Sequence, residues 1–160
     1  YGLIKEHQGT IGVLSRPGKG SRFSIYLPVE GNVNLNLYPS ILCIDYNVKY
    51  LKELKANFLD AVIWRSESKD KVGDILAFLE ENPEVDMIVS EARLKGFSAW
   101  DLMDKIKTKY PLLPFILYSA DPMALKAPSR SRTIPDCTMQ KPFTIEELQK
   151  VIHEIGRQQL

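Results

Sequence analysis

The chain has 160 residues, 44% hydrophobic and 26% charged, an ordinary globular composition that is long enough to bury a core. With 21 Lys and Arg against 20 Asp and Glu, the formal net charge is +1, so no global field recruits nucleic acid or an anionic membrane. No apolar run approaches the ~18 residues of a membrane span. Cys43 and Cys137 stand far apart without a CxxC or Cys/His spacing, which argues against zinc or a disulfide framework and for reduced, partly buried thiols.

Residues 1–9 are short and polar. From Thr10 to Pro28 the pattern has period two: Ile11 and Val13, then Phe23, Ile25 and Leu27, alternate with small or polar neighbours. Between these runs Arg16-Pro17-Gly18-Lys19-Gly20 supplies turn residues, so the segment is predicted to be a hairpin whose apolar face needs cover. Gly31 to Ser40 is asparagine-rich, uncharged and closed by Pro39, the composition of an extended linker.

After the linker, strand-like runs alternate with helical stripes. Ile41-Leu42-Cys43-Ile44 precedes Val48, Leu51, Leu54 and Phe58 at helical spacing. Ala61-Val62-Ile63-Trp64 precedes Val72, Ile75, Leu76 and Leu79, a stripe ended by Asn82-Pro83. Met87-Ile88-Val89 precedes Leu102, Met103 and Ile106, on a helix that Ser98 and Asp101 are placed to cap. Phe115-Ile116-Leu117-Tyr118 is the fourth run. A fifth strand ends near Gln140-Lys141-Pro142-Phe143, and a last helix follows, with Thr144 and Glu147 as its capping box and Leu148, Val151, Ile152 and Ile155 as its buried stripe. Asp121 to Pro135 carries three prolines and Ser129-Arg130-Ser131-Arg132 where a fourth helix would stand, so at most one or two turns are expected there.

This alternation predicts an α/β domain with a parallel sheet covered by helices on both faces, whose ligands bind at the carboxyl ends of the strands. Those ends carry Asp45-Tyr46, Ser90-Glu91, Ser119-Ala120 and Gln140-Lys141. Two carboxylates, a hydroxyl and an ammonium are thus expected to converge on one crevice.

With Lys141-Pro142-Phe143 after the last strand and Asp86-Met87-Ile88-Val89-Ser90-Glu91 leading to Arg93 and Gly96, residues 41–160 resemble a response-regulator receiver domain of two-component signalling. The resemblance implies a flavodoxin-like (βα)5 doubly wound fold, with the hairpin as an N-terminal extension. It makes Asp45 the first acid of the family's pair, Glu91 the occupant of the phosphoacceptor position, Ser119 the conserved hydroxyl and Lys141 the conserved lysine. Two positions depart from the family. Tyr46 replaces the second metal-binding acid, and Glu91 replaces the acceptor aspartate, adding a methylene of about 1.5 Å. Mg²⁺ needs oxygen ligands in near-octahedral geometry at about 2.0–2.1 Å, so Asp45 and Glu91 remain as candidate ligands for a weakly held ion only. Thr138 occupies the place of the family's switch aromatic. The resemblance therefore implies a degenerate pseudo-receiver, with Glu91 reaching toward Lys141 either as a permanent stand-in for the acyl phosphate or as a relic.

The first thirty residues have a second resemblance. Tyr1-Gly2-Leu3-Ile4-Lys5-Glu6-His7-Gln8-Gly9-Thr10-Ile11 and Ser15-Arg16-Pro17-Gly18-Lys19-Gly20-Ser21, ending at Leu27-Pro28, resemble the end of a histidine-kinase ATP-binding domain. The expectation is a fragment of a hybrid histidine kinase: residues 1–30 as ATPase remnant, 31–40 as linker and 41–160 as receiver-like domain. His7 then ends a structural helix, and Gly18 and Gly20 form a turn with no ATP site. The expected partners are the kinase core of the parent, a downstream phosphorelay protein or a second copy, in the cytoplasm, without nucleic acid or membrane insertion. The chain itself is not expected to be an enzyme. Alternatives are a working phosphoacceptor with unusual ligands and a structural dimerisation domain.

Overall fold

The computed structural model describes Ile4 and residues 10–16, 20–26, 40–58 and 60–158. The expected helix end at His7, the turn at Pro17 to Lys19, Leu27-Pro28 and most of the linker lie outside the described residues.

Strands β1 (Thr10–Arg16) and β2 (Gly20–Tyr26) pair antiparallel, with Val13 opposite Phe23 and Ile11 opposite Ile25. The register follows from the period-two pattern, which aligns apolar positions across the pair. On β2, the apolar side chains of Phe23 and Ile25 are 66% and 58% exposed.

The remaining elements are β3 (Ile41–Asp45), α1 (Val48–Asn57), β4 (Val62–Arg65), α2 (Val72–Glu81), β5 (Met87–Glu91), α3 (Ala99–Lys109), β6 (Phe115–Ser119), β7 (Cys137–Gln140) and α4 (Ile145–Gln158). Strands β3 to β7 form a five-stranded parallel sheet in the order β4-β3-β5-β6-β7. This is the flavodoxin-like order, and it places the chain reversal at β3 and β5, where the rule for open sheets puts the ligand crevice.

Alternating side chains of the central strands divide the core between two faces. Leu42, Ile44, Ile88, Phe115 and Leu117 pack with Ile75 and Leu79 of α2 and Leu102, Met103 and Ile106 of α3. Ile41, Cys43, Met87, Val89, Ile116 and Tyr118 pack with Leu51 and Leu54 of α1 and Leu148, Ile152 and Ile155 of α4. Both sides of β3, β5 and β6 are thus dry, which explains their continuous apolar runs. Val48, the first position of the α1 stripe, is exposed: it begins the helix and lies beyond the core's edge.

Local chemistry sets the helix starts. The Asn47 side chain accepts from the Lys49 and Tyr50 N–H groups and starts α1. Ser98 caps α3, and Thr144 and Glu147 exchange bonds of 3.2 and 2.7 Å at the start of α4. The second strand runs one residue later than the sequence predicts, and Ala61 is buried just before it.

Between β6 and β7 the chain makes turns but no helix. Its prolines favour this, and α3 supplies the anchors. The Asp104 carboxylate accepts from the Ser131 and Thr133 hydroxyls and from the Arg132 and Thr133 N–H groups. Nearby, Arg130 bonds Asp101, the Trp100 indole N–H donates to the Ala124 carbonyl, and Lys107 and the Phe115 N–H both reach Asp136 Oδ2 at 2.7 Å.

Candidate functional site

The carboxyl ends of β3, β5, β6 and β7 bring Asp45, Glu91, Ser119 and Lys141 to one crevice. Asp45, Glu91 and Ser119 are buried, at 1%, 5% and 2% exposure, a depth at which charged groups persist only when paired. The pairing group is Lys141, whose Nζ lies 3.7 Å from Asp45 Oδ2 and 3.5 Å from Glu91 Oε2. The same Nζ sits over two aromatic rings, 4.0 Å from the Tyr50 centroid and 4.4 Å from that of Tyr118. An ammonium is attracted to such ring faces, more strongly where water is excluded. Lys141 is thus enclosed by two carboxylates and two π-systems.

Each acid has further donors. Asp45 Oδ2 accepts the Tyr118 hydroxyl at 2.7 Å and Oδ1 accepts the Asn47 N–H at 2.8 Å, so the residue that starts α1 also orients the carboxylate. Glu91 Oε1 accepts the Arg93 N–H at 3.2 Å. Burial, followed by the Asp45 charge, pushes the Tyr118 phenol well above its ordinary pKa, so at neutral pH it remains a donor. Burial also raises the Tyr50 phenol, again with Asp45 adding to the effect, and its hydroxyl is buried without a partner among the described residues. Tyr50, Tyr118 and Phe143 meet edge to face, with centroids 5.4 to 6.4 Å apart, and wall this side of the crevice.

The Ser119 hydroxyl accepts the Asp121 N–H at 3.3 Å, while its carbonyl accepts the Lys141 N–H at 2.9 Å, which ties the lysine-bearing loop to β6. Arg93 pairs with Asp121 across the mouth of the crevice and draws that carboxyl below its usual range. Gly96 has φ of +87°, and a Cβ there would meet the carbonyls of Glu67 and Asp70 at 2.5 and 2.6 Å. Only glycine fits this close approach of the loops after β4 and β5.

Tyr46 is 42% exposed, with its ring 5.5 Å from Lys95 Nζ, and so lies toward the outside of the cluster. Thr138 is exposed on β7 opposite Leu117. Cys43 is buried mid-strand with its thiol pushed up to about 12 by desolvation, and Cys137 is a partly buried free thiol, raised by the same cause. Sequence reasoning did not find Tyr118 and Tyr50. The available signal was a tyrosine closing an otherwise apolar buried strand, because a buried phenol needs a partner for its hydroxyl.

A receiver-type site implies Mg²⁺, and the residues present do not fit it. The acids are Asp45 and Glu91 alone, and no group of three metal-ligating side chains occurs among the described residues. Both acids already share the Lys141 ammonium, and both oxygens of Asp45 hold protein donors. Six-coordinate oxygen geometry has too little to build on here.

No protein-family model matches the sequence, and no curated protein matches it. Solved structures similar to it include the signal receiver domain of an HD domain-containing protein from Pseudomonas fluorescens Pf-5, at 23% identity and a TM-score of 0.63, covering 76% of this chain and 97% of that one. Another is the response regulator receiver domain protein from Clostridium thermocellum, at 19% identity and a TM-score of 0.60, covering 74% and 94%. A third is the signal receiver domain of a signal transduction histidine kinase from Syntrophus aciditrophicus, at 19% identity and a TM-score of 0.59, covering 74% and 89%. At these identities the likeness shows the fold: the five-stranded part of the chain has the receiver-domain architecture.

Proposed function

We propose that residues 41–160 are a receiver-like module of two-component signalling that acts through protein contact and does not accept a phosphoryl group. The observation that carries this reading is the ion pair in the acceptor's place, with Glu91 Oε2 3.5 Å from Lys141 Nζ. Phosphoryl transfer to a carboxylate depends on positioning and on neutralising the charge of the transferring group. A misplacement of about 1 Å can cost about 10²-fold in rate, and the additional methylene of Glu91 alters reach by more than that. Tyr46, in place of a second acid, removes charge that a divalent ion would need.

In this reading residues 1–30 are the end of a histidine-kinase ATP-binding domain, residues 31–40 link it to the module, and the kinase core of the parent is the first partner. The chain performs no catalysis of its own, binds no ATP or nucleic acid, and works in the cytoplasm. No helix among the described residues is long and apolar enough to cross a membrane.

The test is incubation of the full chain with a small-molecule acyl-phosphate donor and Mg²⁺, read by intact-mass spectrometry before and after hydroxylamine. No stoichiometric adduct is expected. A hydroxylamine-labile phosphate mapped to Glu91 or Asp45 would overturn the reading.

A further inference from the structure

We propose that Tyr118 is the residue that decides which cation this crevice takes: bonded to Asp45 and lying against Lys141, it reserves the buried carboxylates for the chain's own ammonium and keeps a divalent ion out. The inference builds on the non-accepting reading above and adds a third residue to the two substitutions, at Tyr46 and Glu91, to which the sequence points.

Three observations carry it. Asp45 Oδ2 is the shared atom, accepting the Tyr118 hydroxyl at 2.7 Å and lying 3.7 Å from Lys141 Nζ. A metal ion bound there would have to displace the phenol, and Tyr118 is fully buried, so its hydroxyl would lose its partner with no water to replace it. The second observation is the wall. The Tyr118 and Tyr50 ring faces lie 4.4 and 4.0 Å from Nζ, and Phe143 closes against both rings. Ring faces suit an ammonium, whereas Mg²⁺ keeps several waters and needs space for them. The third is the position of Tyr46, which is 42% exposed with its ring beside Lys95, while both oxygens of Asp45 are held by Tyr118 and Asn47. Exchanging it leaves the occupied oxygens of Asp45 as they were.

Titration of the full chain with Mg²⁺, and with Tb³⁺ read by tyrosine-sensitised luminescence, tests this in four forms: unmodified, Tyr118→Phe, Tyr46→Asp and both together. Tyr118→Phe keeps the ring and removes only the hydroxyl. It should tighten binding about ten- to hundredfold over the unmodified chain, the range set by a hydrogen bond to a charged group. Tyr46→Asp alone should stay near the unmodified value, and the double variant should exceed Tyr118→Phe. Equal gains from the two single variants, or no gain from a natively folded Tyr118→Phe, would overturn the assignment and leave the non-accepting reading intact. Tight, saturable Mg²⁺ binding by the unmodified chain would remove both. A measurement without any variant guards against misfolding: the Tyr118 hydroxyl proton should be observable by NMR and unmoved by Mg²⁺, and its loss or shift on adding Mg²⁺ would also overturn the assignment.

Discussion

The crevice at the strand ends and the helix-free crossover beside it are both organised by carboxylates, yet they use them in opposite ways. In the crevice, Asp45 and Glu91 are buried and share one ammonium, so the arrangement depends on charge that solvent cannot replace. In the crossover, the partly exposed Asp104 gathers hydroxyl and amide donors from Ser131, Arg132 and Thr133, all of which water could satisfy if the contact opened. The same chemical group therefore locks the protein globally in one place and shapes a surface segment locally in the other.

The largest effect should come from Lys141→Met, which leaves two acids facing one another in a buried site. A loss of about 3 kcal/mol is expected, the lower end for breaking a buried pair because the lysine is partly exposed, measured as the shift in a urea unfolding curve. Adding Glu91→Gln to that variant should restore part of the loss. If the double variant were as unstable as the sum of the single changes, the two residues would not be coupled. Tyr118→Phe should cost about 1.5 kcal/mol, since Asp45 retains its lysine and its amide donor.

Asp104→Ala should move the global midpoint less, by about 1 kcal/mol. Its clearer signature is local: a loss of amide protection at Arg132 and Thr133 well beyond the roughly fivefold loss that about 1 kcal/mol of global stability brings to Ile88 and Ile116 in the sheet. A uniform loss of protection would show that the crossover and the sheet unfold together. A pH series sharpens the same contrast. Burial opposes ionisation of Asp104, but bonds from Thr133, Ser131 and Arg132 together hold its carboxyl below the usual value. A depressed folded-state pKa means the contribution is complete above the unfolded value, near ~3.9, and disappears as pH falls through the folded one. Protection at Arg132 and Thr133, corrected for intrinsic exchange, should be flat from neutral pH to about 4 and fall below it. Loss beginning near pH 6 would point to another group. The smallest effect belongs to Arg93→Ala: this exposed pair joins the two regions at the surface, and the urea midpoint should stay within error.

Much of the architecture was readable from local pattern. Ile41-Leu42-Cys43-Ile44 and Phe115-Ile116-Leu117-Tyr118 are apolar at every position because each strand is covered on both sides, and Asn82, Ser98 and Thr144 mark helix ends through bonds that span a few residues. The convergence of Asp45, Glu91, Ser119 and Lys141 also followed, because parallel strands bring their carboxyl ends to one edge wherever the strands are correctly identified. The Tyr118–Asp45 bond joins residues 73 apart in sequence, and the Asp104 contacts span 27 to 29. No periodicity encodes such pairings, since they depend on which strands lie side by side and on how far a side chain reaches. The sequence by itself determined the alternating elements, their caps and the chemistry at the strand ends, because those rest on backbone preference and on which residues water rejects. Only the tertiary structure decided that the Tyr118 hydroxyl bonds the Asp45 carboxylate, and that two rings lie against Lys141. A buried polar group takes whichever partner the folded chain leaves within about 3 Å, and that choice is made in space.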